Sequence, residues 1–294
     1  GTGVENLLTS SEAIEAAHLD WKVEMEPVYT GKGDAIPRYR RSVRVDKDLT
    51  LGIMGMRYVP LQNYEAFDFM DELVQEQLAM WETAGSIREG RVVWALARLP
   101  GHITIADGDE IATYVLLMNS HDGSSSVVIK PTPIRVVCAN TLSMALGSRG
   151  AAFRIRHTAS LFQKVQAARD ALGIINTQFH EFGDACKEML NCDLTDETLK
   201  HYFIDVLDVD IEKTKGKNIL ESVTDIYNTH PTNSVGEMEG TMWAAYNAVT
   251  YYVDHERPKL VDGTVSVKRM ETALFGSGDL LKRKAFEQAM VIAR

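Results

Sequence analysis

The apolar residues of this chain change their spacing near residue 150, and that change limits the fold more than any motif does. Before it, short runs alternate apolar with polar, as in Trp21, Val23 and Met25 against Lys22, Glu24 and Glu26. Such alternation puts one face of a strand into a core and the other in water. From Phe153 onward, apolar residues recur at every third or fourth position. Leu161, Val165, Ala168, Leu172, Ile175, Phe179, Phe182, Cys186 and Met189 predict one long helix over 161–190. The expected fold class is therefore α+β: a mixed antiparallel sheet with helices in residues 1–150, then a mainly helical domain in 151–294. A chain of 294 residues can bury one large core or two modest ones.

Local signals fill in this frame. Ser10 or Ser11 caps a short helix to Leu19, and residues 21–29 form a strand. Tyr39 to Val45 and Leu49 to Tyr58 read as a hairpin around Asp46-Lys47-Asp48. Asn63 caps a helix predicted from Tyr64 to about Ala84, on the spacing of Phe67, Met70, Leu73, Val74, Leu78 and Trp81. Arg91 to Leu99 is an apolar strand, Pro100-Gly101 a turn, and His102 to Ile105 a further short strand. Tyr114 to Leu146 reads as strand, polar turn, strand, Pro-spaced strand, and a helix capped at Asn140 or Thr141. Later helices are expected from Thr195 to about Val206, over 218–227 and 241–253, and from Asp279 to Ile292.

A net charge of −10 disfavours a protein that coats duplex DNA by bulk electrostatics, while leaving room for a local basic groove. Three cysteines without CxxC spacing argue against a disulfide framework and fit a reducing, cytoplasmic setting. No apolar run reaches the roughly 18–20 residues needed to span a bilayer. No signal peptide is visible, although the chain starts Gly-Thr-Gly without Met and a lost leader stays open. Phosphate-binding, dinucleotide-binding, nucleophile-elbow and zincin motifs are absent from the sequence.

The candidate chemistry is sparse. His121 beside Asp122 invites an acid/base or metal reading, but neighbours on a strand point to opposite faces. Asp122-Gly123 between apolar runs is a hairpin signal, so a structural turn comes first, a ligand-contacting loop second and catalysis last. His180 and Asp184 share a helix face but lack a second pair to complete a metal site. Trp243, Tyr246 and Asn247 fit core packing, with base stacking as the alternative. The arginines carry more. Arg38, Arg40, Arg41, Arg44, Lys47 and Arg57 crowd the first hairpin, and Arg40 and Arg44 share one face of it. Such a surface tracks phosphates, although a solvated strand face or an oligomer interface uses the same residues. The candidate nucleic-acid-binding set is Arg40, Arg44, Arg57, Arg91, Lys130 and Arg135, with no catalytic residue, metal ligand or cofactor assigned.

Four long segments resemble one family: LGIMGMRYVPLQNYEAFDFMDELV (51–74), AGSIREGRVVWALARLP (84–100), NSHDGSSSVVIKPTPIRVVCANTL (119–142) and GTMWAAYNAVTYYVDHERP (240–258). The family is that of phage/plasmid-like proteins, also called domain of unknown function 932. The initial Gly-Thr-Gly resembles the tail of a Trp-His-Gly-Leu-Gly-Thr-like opening common in it. The resemblance implies a mobile-element protein in the cytoplasm of a bacterial host, and supplies no catalytic residues.

The order of elements expected over 36–146 also looks like the hairpin-and-helix core of phage annealing proteins of the Red-beta type. That likeness implies single-stranded DNA held along a basic groove, assembly into rings or filaments, and no need for nucleotide or metal. The expected function is single-stranded DNA binding and annealing in recombination, by a homo-oligomer. The alternative is an interaction protein that binds and modulates a host factor. An enzyme working through His121 and Asp122 ranks last.

Overall fold

The architecture follows from where alternation gives way to helical spacing. A computed structural model describes residues 2–3, 9–124, 127–135, 140–141, 153–155, 161–233, 236–257 and 276–294. The fold is α+β, with antiparallel sheets and short helices early and long helices late. The chain forms two compact units: 1–100 with 114–131 and 152–175, and 101–113 with 132–151 and 176–294.

In the first unit, β1 (Thr2–Gly3) pairs with a later strand, and α1 (Ser10–Ala16) follows. Thr9 rather than a serine caps α1. Its hydroxyl accepts from the Glu12 N–H at 3.2 Å, and the Glu12 carboxylate accepts from the Thr9 N–H at 3.1 Å. Three strands then form a separate sheet in the order β2 (Val23–Tyr29), β3 (Ala35–Arg44), β4 (Leu49–Gly55).

The predicted helix over 64–84 is corrected. The segment is α2 (Asn63–Phe67), α3 (Met70–Gln75) and then β5 (Met80–Ile87). Gln77 has φ +61°, which no helix accommodates, and Trp81 and Ala84 are buried on a strand. Leu78, which extended the helical pattern, is exposed.

The large sheet has the order β1, β5, β6 (Val92–Ala106), β7 (Asp109–Ser120), β8 (Val127–Arg135), β10 (Phe153–Ile155), with β9 (Asn140–Thr141) also on β8. Two expectations change here. Pro100-Gly101 is no turn, because β6 runs through it with Gly101 at φ +87°, a conformation glycine adopts readily. Asn140 and Thr141 start no helix but pair with Arg135 and Ile134; residues 142–146 lie outside the described residues. The prolines at 131 and 133 sit within one strand.

The second unit is built on α4 (Leu161–Leu190, of which 176–190 belong here), α5 (Asp196–Leu207), α6 (Thr214–Thr229), α7 (Met242–Tyr251) and α8 (Ser277–Ala293). The bounds of α4 match the 161–190 periodicity. Every residue from Met242 to Thr250 is buried, so α7 is the central helix of its unit. Around it, Tyr246 meets Phe286 edge-on at 5.7 Å, Phe286 stacks on Phe182 at 5.3 Å, and Trp243 Nε1 donates to Asp109 Oδ2 at 2.7 Å. The aromatic helix is thus core, with the Trp243 and Tyr246 rings fully buried. After α7 the chain makes one π-helical turn, Tyr252–Glu256, whose Asp254 pairs with buried Lys282 of α8 at 2.9 Å.

Candidate nucleic-acid interface

Strand β3 passes from a closed end to an open one. At the closed end Ser42, Val43 and Arg44 are buried. Ser42 Oγ donates to the His121 carbonyl at 2.7 Å, which ties the three-stranded sheet to the turn after β7. The Arg44 guanidinium lies 4.3 Å from the Trp21 ring centre and binds both Asp46 oxygens, at 2.8 and 2.9 Å. Those bonds hold the Asp46 carboxyl below its ordinary value.

His121 completes this end. It is fully buried, and its N–H donates to the Arg91 carbonyl at 2.7 Å. Its Nε2 lies 2.7 Å from Asn63 Oδ1, and Asn63 Nδ2 donates to the Leu19 carbonyl at 2.6 Å. A carbonyl only accepts, so the Asn63 amide is oriented by Leu19, and His121 Nε2 must be the donor. The ring also meets Trp21 edge-on at 5.5 Å. Asp122 Oδ1 accepts from the Ser124 N–H at 2.9 Å, an ordinary Asx-type turn contact. A Cβ on Gly52 would lie 2.9 Å from the Asp122 backbone, so β4 and this turn approach closely only because residue 52 is glycine. The pair suspected of chemistry thus holds the framework together.

At the other end of β3 the side chains open to solvent. Tyr39 is 52% exposed and Ile53 61%. They share a face, because Arg41 pairs with Ile53 and Tyr39 lies two residues along. The residue paired with Tyr39 is Gly55, which presents no side chain to cover the ring. Arg41, on that face, is engaged by Glu26 at 2.6 Å and Asp48 at 3.2 Å. Its guanidinium is held charged chiefly by the Glu26 hydrogen bond. Arg40 lies on the opposite face, on the rung of Pro27 and Met54.

The six candidate cations therefore divide. Arg44 is buried and bound to Asp46, and half-buried Arg91 donates from Nε to the Leu51 carbonyl at 2.9 Å. Arg40 and Arg57 are exposed and make no ion pair among the described residues. Lys130 is half-buried within β8, and Arg135 forms a backbone rung with Asn140. Arg57 also edges a cleft of about 610 Å³ with Tyr58, Val59, Leu61, Glu65, Asp68 and Lys164. Lys164 Nζ donates there to the Glu65 carbonyl at 3.3 Å. Burial, and then the charge of Asp122, push the Tyr58 hydroxyl up to about 12, so it stays a donor; it bonds the Ser120 carbonyl at 3.3 Å.

Sequence reasoning passed over Tyr39, Ile53 and Lys164. Tyr39 beside Arg40, opposite a glycine strand, was the available signal, while nothing local announces Lys164. Among the described residues, no group of three His, Cys, Asp or Glu side chains could hold a metal ion, and no helix is long and apolar enough to cross a membrane.

No curated protein and no solved structure matches the chain. A family model, Domain of unknown function (DUF932), matches residues 50–276. That span takes in all of β4 but its first residue, the turn at His121, the cleft beside Arg57 and the central helix α7. The chain belongs to the DUF932 family.

Proposed function

We propose that the protein binds single-stranded nucleic acid on the open end of its three-stranded sheet, and anneals strands in recombination without a nucleotide cofactor. The observation that carries the reading is a pair of exposed arginines with no ion pair among the described residues, Arg40 on β3 and Arg57 just beyond β4, beside a sheet that leaves Tyr39 uncovered on its other face. Arginines bind phosphates at little desolvation cost when no acid holds them, and an open aromatic ring accepts a base face. The charge distribution adds support. Residues 23–58 hold seven Lys or Arg against five Asp or Glu, in a chain of net charge −10. The acidic remainder disfavours non-specific coating and leaves attraction local. A protein of a phage or plasmid acting in its host's cytoplasm, as an oligomer that extends the track from copy to copy, fits this reading.

The test is fluorescence anisotropy with single-stranded and duplex oligonucleotides over a range of salt. The expected result is tighter single-strand binding that weakens steeply with salt. Salt-indifferent binding, or none by the assembled protein, rules the reading out.

A second reading rests on the apolar side. Ile53, Met56, Val59 and Tyr64 are all exposed within one short segment, which favours a protein partner, such as a host factor that this protein modulates. A stoichiometric partner retained from host lysate after nuclease treatment supports it. Loss of all partners with nuclease returns the argument to nucleic acid.

A further inference from the structure

The three-stranded sheet has two outer edges, β2 and β4, and only one of them is closed. We propose that the outer edge of β4 pairs antiparallel with β4 of a second copy, joining the two sheets into one about a two-fold axis at Ile53.

The closed edge shows how the backbone is oriented. Gln62 Oε1 accepts from the Val23 N–H at 3.0 Å, and Gln62 Nε2 donates to the Val23 carbonyl at 2.9 Å. The backbone groups of Val23 therefore point away from β3. By alternation, those of Glu24 and Glu26 point toward β3 and those of Met25 and Pro27 point outward. This edge resists another strand. The Gln62 amide stands in for a neighbour at Val23, and Pro27 has no N–H to donate. Pairing of β2 with its own copy about Met25 would also set Glu24 against Glu26.

The same alternation carries across the sheet. Val43 and Arg41, opposite Glu24 and Glu26, turn their backbone groups to β2, so Ser42 and Arg40 turn theirs to β4. Gly52 and Met54 answer them, which leaves the N–H and carbonyl of Ile53 pointing outward. The Leu51 carbonyl faces out as well, and there it accepts from Arg91 Nε at 2.9 Å. The outward groups of Ile53 have no such partner among the described residues. Its side chain is 61% exposed. An apolar edge of this kind is a template for a further strand.

The charge pattern identifies that strand. Residues 49–56, LTLGIMGM, carry no charge, while Asp48 precedes them and Arg57 follows. A segment paired antiparallel with itself sets each residue against the one equally far beyond the centre. About Ile53, the two Ile53 side chains meet, Gly52 faces Met54, and the Arg57 end of one copy approaches the Asp48 end of the other. Opposite charges thus meet at both ends and no charge is buried between them. A chain of net charge −10 repels its copies over most of its surface, and this segment is free of that repulsion. Exposed ion pairs are weak, so Arg57 stays available to a phosphate. The pairing gives the oligomer of the proposed function its interface, and rests on that reading only for the use made of it.

Sedimentation velocity of the full chain without nucleic acid, over the micromolar range, tests this. The expected result is a reversible dimer. Ile53→Lys sets two like charges at the axis and should raise the dimer Kd by about tenfold or more, with an unchanged melting temperature. Tyr29→Lys, on β2 and 58% exposed, should leave the Kd as it is. Opposed residues that exchange both backbone bonds lie about 5.5 Å apart at Cα, within disulfide reach. Mild oxidation should therefore link Ile53→Cys chains in pairs and leave the parent and Tyr29→Cys unlinked. A monomer throughout the range, a dimer that Ile53→Lys leaves intact, or Ile53→Cys chains that stay unlinked each overturns the proposal. Should Ile53→Lys lower the melting temperature, the cross-link alone decides. Single-strand binding by the parent, measured in parallel, decides the nucleic-acid reading separately.

Discussion

The two ends of β3 use the same residue types to opposite purposes. At one end Arg44 is 8% exposed, its guanidinium over Trp21 and both its forks on Asp46. Four residues earlier, Arg40 is exposed and holds nothing among the described residues. Both lie on one face by strand alternation. What separates them is what folds over that face. Trp21, Ser42 and the His121 turn close one end, and nothing described covers the other. The lesson is that an arginine cluster on a strand is two populations, one holding the fold and one available to a ligand.

Substitutions at the closed end should cost stability, and those at the open end should cost binding. The largest effect is expected for Trp21→Ala. It removes a buried ring that meets His121 and Arg44, and should lower unfolding free energy by about 3–5 kcal/mol in urea denaturation. Tyr39→Ala at the open end should stay within about 0.5 kcal/mol of the parent in the same assay. Equal losses from the two would erase the distinction.

Gly52→Ala comes next. The added methyl meets backbone at Asp122, which cannot swing aside as a side-chain tip can, so about 1–3 kcal/mol should be lost. Gly55→Ala, with open space around its Cβ position, is the control and should change stability by under about 1 kcal/mol.

The smallest effect is a pH dependence. Asp46 is held below its ordinary value of 3.8, first by the Arg44 hydrogen bonds. A lowered carboxyl contributes stability that is present above the unfolded value and lost as pH falls through the folded one. Asp46→Asn should therefore be less stable than the parent near neutrality, and the gap should narrow as pH drops below about 3.8. A gap that widens on acidification would contradict the assignment.

Much of this fold was legible because its signals are local. The period of Leu161 to Met189 delivers α4 to its ends, and Thr195 and Thr241 cap α5 and α7 where polar caps are expected. The reading failed where long-range pairing overrode spacing. Met80 to Ala84 looked helical because Leu78 and Trp81 continued a three-four rhythm, but Trp81 and Ala84 are buried on a strand paired with β6. Pro100 looked like a terminator because its lack of an N–H is a local property, whereas tolerance of that lack depends on the neighbouring strand. The candidate site was half legible for the same reason. Composition marks Arg40 and Arg44 alike, and only the contacts of Arg44 with Trp21 and Asp46 tell them apart. His121 was legible as a framework residue from the Asp122-Gly123 turn, but its bond to Asn63 joins distant segments and has no local signature.

The most direct measurement compares the salt dependence of single-stranded DNA binding by the parent and by Arg40→Ala/Arg57→Ala. If these two arginines contact phosphates, the slope of log affinity against log salt should flatten by about 0.7 for each contact removed, with stability unchanged. An identical slope and affinity in the double variant would contradict the claim that the open end of the sheet is the nucleic-acid surface.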